Sequence, residues 1–132
     1  MNTQKDAIKI VAEFLEASMK PAPEIAATYM SEDVEITFTG NRKMRSATVI
    51  TEFNNNRYNW VKKAISHYDC TVYEDYAVVY SNGTLFGEWK NGQSFSGNRY
   101  LDRFEVRNNK ICKMDVWNDS AEWILEPEIN QP

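Results

Sequence analysis

The stretch from Phe95 to Leu125, FSGNRYLDRFEVRNNKICKMDVWNDSAEWIL, constrains the fold more than any other part of the chain. Apolar and polar residues alternate on both sides of Asn108-Asn109, the period of a half-buried strand. Asparagine also tolerates the left-handed backbone of a tight hairpin turn. The stretch therefore reads as two long antiparallel strands followed by a short helix. Two loop lengths compete. A loop of Asn108-Asn109 alone sets Asp102 against Asp115 and Phe104 against Lys113, an unfavourable pairing of like charges and of an aromatic ring with an ammonium. A loop of Asn108-Asn109-Lys110 pairs Glu105 with Lys113 and Arg103 with Asp115. On the other face it pairs Val106 with Cys112, Phe104 with Met114 and Asp102 with Val116. The second register satisfies charges outside and apolar groups inside, and is the expected one, with Asn109 left-handed.

This register sorts residues onto two faces. Asn98, Tyr100, Asp102, Phe104 and Val106 share the inner face. A two-residue Asn91-Gly92 turn adds Leu85, Gly83, Ser81, Val79 and Ala77 to it. Asp102 then lies across from Ser81, among Tyr100, Phe104 and Val116. A carboxylate on an apolar face is desolvated, which raises its pKa and suits it to general acid or base work. The other reading is a structural Asp bonded to Ser81, Tyr100 or a backbone amide. The opposite face mixes Tyr80, Phe86, Phe95, Leu101 and Trp117 with Arg99, Arg103, Glu105, Lys113 and Asp115. An apolar patch with a charged rim points to a protein interface, here a sheet-to-sheet homodimer.

Upstream, Thr3 and Asp6 suggest a cap, and Ala7, Ile8, Val11, Phe14 and Leu15 form one helical stripe ending before Pro21. Pro23 opens a second, shorter helix. Val34, Ile36 and Phe38 alternate with polar residues as a first strand. After the basic connector from Arg42 to Arg45, Ser46 is the expected cap of a third helix. Its apolar face takes in Val49, Ile50, Phe53, Trp60, Val61, Ala64 and Ile65, with a kink at Asn54 to Asn56. Strands are expected over 67–73, 76–90, 93–107 and 110–118. Asp119 and Glu122 suggest a capping box for the last helical turn. The expectation is a single α+β domain spanning 1–132, with helices on one face of a curved antiparallel sheet.

Composition excludes several classes. The net charge is −4 with scattered positive residues, which argues against nucleic acid as a partner. No apolar run is long enough for a membrane span. Two separated cysteines, Cys70 and Cys112, and a single histidine, His67, make neither a disulfide framework nor a metal site. With no apolar signal segment after Met1, a cytoplasmic home is expected.

Three helices before a curved meander, ending in RYLDRFEV, Asn109-Lys110-Ile111 and DVWNDSAEW, resemble the nuclear transport factor 2-like superfamily, and within it the SnoaL-like, polyketide-cyclase-like group. The resemblance implies a cone-shaped, cystatin-like fold with one small-molecule pocket, often in a dimer. Its steroid-isomerase-like members place an Asp base where this chain has Phe38 and a Tyr donor where it has Phe14, so that chemistry is not expected here. The Arg-x-Asp of limonene epoxide hydrolase-like members is missing from residues 82–88. His67 sits where scytalone dehydratase-like members carry a catalytic His, but no Asp partner is available, and strand parity from Tyr68 turns His67 outward unless a bulge intervenes. Two functions follow. The first is a cofactor-independent acid/base isomerase, cyclase or dehydratase acting on a small, mostly apolar substrate. Asp102 would shuttle the proton, His67 would assist, and Tyr100, Asn98 and Ser81 would orient the substrate against Phe38, Phe14, Val116 and Trp60. The second is a non-catalytic module that binds an apolar ligand or dimerises.

Overall fold

The computed structural model of the protein describes residues 3–125. Helix α1 (Gln4–Met19) starts at Thr3, whose hydroxyl accepts from the Asp6 amide at 3.1 Å. It buries the expected stripe of Ala7, Val11, Phe14 and Leu15. Helix α2 (Pro23–Ala27) has proline in its first turn, where the missing amide is not needed. Strand β1 (Met30–Phe38) follows, and then a short β2 (Arg42–Met44) where the basic connector was expected. Helix α3 (Ala47–Arg57) is capped by the Ser46 hydroxyl, 3.3 Å from the Val49 amide. The long strands are β3 (Tyr58–Val72), β4 (Ala77–Trp89), β5 (Ser94–Arg107) and β6 (Lys110–Asn118), and α4 (Ser120–Leu125) closes the described chain.

The six strands form one sheet in the order β2-β1-β6-β5-β4-β3. The fold is α+β as expected, but the sheet is not wholly antiparallel. β1 runs parallel to β6, which the three intervening long strands allow because they return the chain alongside its start. α1 packs across the concave face against β3, β4 and β6. There Phe14 meets Phe104 edge-on at 5.9 Å, a contact worth about 0.5–1.5 kcal/mol beyond the area it buries. β3 is an exposed edge, and α1 covers part of it. The Gln4 amide donates to the Cys70 carbonyl at 2.9 Å, and the Lys63 amide donates to the Met19 sulfur at 3.2 Å.

Three local expectations need correction. The third helix stops at Arg57, and residues 58–65 are strand. Val61 and Ile65 are four apart, a spacing that shares a face in a strand as well as in a helix, so periodicity alone could not separate the two. In the last hairpin, Asp102 pairs with Val116, Arg103 with Asp115, Phe104 with Met114 and Glu105 with Lys113, as charge pairing demanded. The extra residue is not in the loop, however. Asn108 and Asn109 both have positive φ (52° and 63°) and form a two-residue turn, Val106 pairs with Ile111, and Cys112 is accommodated as a bulge. At the other hairpin the Trp89 amide closes onto the Gln93 carbonyl, giving a three-residue loop with Gly92 at φ 88°. A second irregularity at Gly97 (φ 85°) restores the expected pairing of Ser81 with Asp102. That bulge turns Phe95 inward, where it is buried, and not onto the outer face.

Candidate functional site

The inner face is as the register predicted: Asn98, Tyr100, Asp102, Phe104, Val106 and Ser81 are all buried. Asp102 is wholly buried and lies opposite Ser81 and Val116. Its partner is one that periodicity concealed. Lys63 Nζ stands 2.9 Å from Asp102 Oδ2, with its side chain 17% exposed against 0% for the aspartate. On the way it crosses the face of Tyr100, 4.2 Å from the ring centroid, a cation–π contact. Lys63 pairs with Leu85, four residues along β4 from Ser81, the partner of Asp102, so the long side chain reaches diagonally across the inner face.

A bulge between Ile65 and His67 makes this possible. Tyr68 and Cys70 face inward on one side of it, and Ile65, Lys63 and Val61 on the other, each aligned with an inward residue of β4. Straight alternation from Tyr68 would have put Lys62 inward instead. The bulge anticipated near His67 thus exists, but it does not bring His67 in. His67 is exposed, and its Nε2 pairs with Asp69 on the surface at 3.2 Å. The expected assisting role of His67 has no geometric support.

The electrostatics follow from burial. Desolvation pushes the Asp102 pKa up, and the Lys63 ammonium pulls against it without cancelling it. Burial also pushes the Tyr100 phenol up to about 12, opposed by its 2.8 Å hydrogen bond with Ser81. Asp102 Oδ1 and Asn98 Oδ1 are buried without a protein hydrogen-bond partner. An unmet buried acceptor costs about 1–3 kcal/mol, and among the described residues Lys63 is the side chain that holds Asp102, not a ring of amides.

A cavity of about 60 Å³ lies between α1, α3 and the sheet, lined by Phe14, Phe38, Ile50, Tyr58, Lys63 and Val116 among others. It adjoins a second cavity of about 350 Å³ that opens between the end of α1, α2, α3 and the start of β3, and Met19, Asn54, Tyr58 and Val61 line both. Phe14, Phe38 and Val116 all line the inner cavity. Ser81, Asn98, Tyr100 and Asp102 line neither cavity and form the polar layer behind Lys63. Trp60 borders the outer cavity, but from a strand and not a helix. It is 46% exposed and packs edge-on against Phe86 on the outer face, at 5.9 Å. Tyr58 was not anticipated: it lines both cavities and donates to Ser120 Oγ at 2.6 Å. Asp119 does not complete a capping box with its side chain, because that carboxylate is clasped by Arg99 at 2.8 Å. Arg103, expected on Asp115, sits closer to Glu105, at 2.6 Å against 4.0 Å. Among the described residues no three His, Cys, Asp or Glu side chains group to hold a metal, and no helix is long and apolar enough to cross a membrane.

No protein-family model matches the sequence, and no curated protein matches it by sequence. Solved structures do match over the whole fold. An NTF2-like protein from Burkholderia thailandensis E264 is 20% identical, with 100% of both chains covered and a TM-score of 0.71. A candidate SnoaL-like polyketide cyclase from Jannaschia sp. CCS1 is 13% identical over 100% of this chain and 97% of its own, with a TM-score of 0.71. TerC, crystallised with polyporic acid, is 16% identical over 93% and 98% of the two chains, with a TM-score of 0.72. Further neighbours are described as having a cystatin-like fold. The chain has the nuclear transport factor 2-like, cystatin-like fold that its last two strands suggested.

Proposed function

We propose that this chain binds a small, mostly apolar molecule carrying a carbonyl or enolate oxygen, and moves a proton on it in an isomerase- or cyclase-type reaction. The observation that carries this reading is the Lys63–Asp102 pair, with the lysine on the cavity wall and the aspartate sealed behind it. A buried ion pair seldom stabilises a fold more than apolar side chains of the same size would, so its presence beside a cavity favours a use. Lys63 is the catalytic residue in this scheme: its ammonium gives a proton to the ligand's enolate, and the neutral amine left behind takes one back from a carbon beside the carbonyl. Asp102 is a positioning residue that holds the ammonium in place. SnoaL-like cyclase and ketosteroid-isomerase candidates among the structural neighbours agree with the reaction class.

A binding-only reading is favoured by one observation: no carboxylate or histidine lines the inner cavity among the described residues, and Phe38 and Phe14 occupy the positions where a base and a donor would stand. One experiment separates the two. The molecule that co-purifies is released by denaturation, identified by mass spectrometry and returned to fresh protein. Conversion by the native chain is expected, and Lys63→Met lowers kcat/KM by about 10²–10⁴-fold. A ligand recovered unchanged leaves binding as the function.

We infer in addition that the outer sheet face joins two copies. Leu101 and Trp117 are cross-strand neighbours and, with Tyr80, are exposed among residues of both charges, a mixture that suits two-fold self-pairing. Sedimentation at micromolar concentration is expected to give a dimer, and Trp117→Glu a monomer. A native monomer at that concentration sinks the idea.

A further inference from the structure

A groove of about 670 Å³ lies between α3, the β4–β5 turn and α4, a volume within the range of small-molecule sites. No residue lines both this groove and either cavity of the cone. Its wall is aromatic. Trp89 and Phe95 stack at 4.2 Å and 24°, and Tyr58 lies behind them at 5.3 Å and 5.4 Å with rings tilted by 21° and 28°, so the three rings form one stack with Trp89 and Phe95 on the groove side. α3 contributes Phe53 and Arg57, and α4 contributes Trp123 and Ile124. The charge is one-sided. Arg57, with its guanidinium 4.7 Å from the centre of the Phe53 ring, and Lys90 both line the groove, and among the described residues none of its lining is acidic. That is a local reversal in a chain of net charge −4.

We propose that this groove is a second binding site, for a planar aromatic carboxylate. The aromatic side chains of Phe53, Trp89 and Trp123 supply contact for a ring, worth about 0.5–1.5 kcal/mol per aromatic pair beyond burial. Arg57 and Lys90 supply complementary charge at its edge, and a half-buried guanidinium matches a carboxylate in two parallel hydrogen bonds. A neutral ring would gain the aromatic contact but bring no counter-charge to the two cations. The observations on which this site rests are independent of Lys63 and Asp102.

The test uses 1-naphthoate and its neutral counterpart 1-naphthamide, followed by quenching of tryptophan fluorescence, since Trp89 and Trp123 both line the groove. Naphthoate is expected to bind about ten-fold tighter than naphthamide, with the gap largely closed in 1 M salt, where charge is screened within about 3 Å. Arg57→Gln with Lys90→Gln removes that preference and leaves naphthamide affinity unchanged. The thermal midpoint of this exposed-side variant checks that it is folded, and Lys90→Gln alone gives a partial loss if the pair proves unstable. The double variant Lys63→Met/Asp102→Leu leaves both affinities as they are. Equal affinity for the two probes overturns the proposal. So does loss of binding in the Lys63/Asp102 variant, which places the probe in the cone. A chain ending at Leu125 that binds naphthoate about ten-fold tighter also overturns it, by assigning the groove to residues 126–132, which include Glu126 and Glu128.

Discussion

Asp102→Leu is expected to destabilise the protein by about 3–5 kcal/mol, and adding Lys63→Met to recover most of that loss. The single change leaves an ammonium buried without its counter-ion, whereas the double change replaces the pair by apolar groups of similar size. Urea unfolding of the native chain and the three variants gives the coupling directly. Additive losses would mean that the two side chains do not act as a pair. The pH dependence carries the sign. Burial raises the Asp102 pKa above its ordinary value of 3.8, so a proton is held more tightly in the folded state than in the unfolded. Stability from that proton is full below the ordinary carboxylate value and is lost as pH rises through the raised folded value. Lys63 limits this loss in the native chain. In Lys63→Met nothing does, so that variant is expected to lose stability steadily from mildly acidic toward neutral pH, while the double variant shows no such slope.

Gly83→Val is the second large effect, expected to cost about 3 kcal/mol or more. A Cβ at Gly83 would stand 2.1 Å from the Ala64 carbonyl oxygen and 2.9 Å from the Ser66 amide, both backbone atoms that cannot swing aside. Gly83 pairs with Ile65 at the edge of the β3 bulge, so the close approach and the bulge are one feature. The variant therefore disturbs the inward set of Val61, Lys63 and Ile65, and is expected to lose the Lys63–Asp102 coupling together with stability. Gly92→Ala is the contrast. Its φ of 88° is strained for alanine, but nothing lies within 4 Å of the added carbon, so about 1–2 kcal/mol is expected with the coupling intact. Equal losses for the two variants would contradict this account.

The last hairpin was legible because its information is local and redundant. Two asparagines mark the turn, and a wrong register would have set Asp102 against Asp115, so charge selected the pairing of four consecutive rows. The inner face of β5 followed, and with it the place of Asp102. The β3 reading failed for an equally physical reason: Val61 and Ile65 are spaced alike for a helix and for a strand. Lys63 is on the strand's inner face but off the helix's, while Trp60 and Ala64 fit the helix's face but turn outward on the strand. Phe95 failed because a residue with positive φ inside a strand resets parity, and Gly97 does not announce that it will adopt one.

What the sequence by itself determined is the α+β order, the cap of α1, the two faces of the β5–β6 hairpin and an aspartate on the inner one. Those features depend on contacts between residues close in the chain or on mirrored patterns around a turn. The tertiary structure decided that Asp102 has a lysine. Lys63 lies 39 residues away, on a strand whose side-chain direction is set by a bulge against β4. A one-residue bulge has no fixed sequence signature; it forms where the partner strand's glycines let the backbone close in, so only the assembled sheet turns Lys63 toward the cavity.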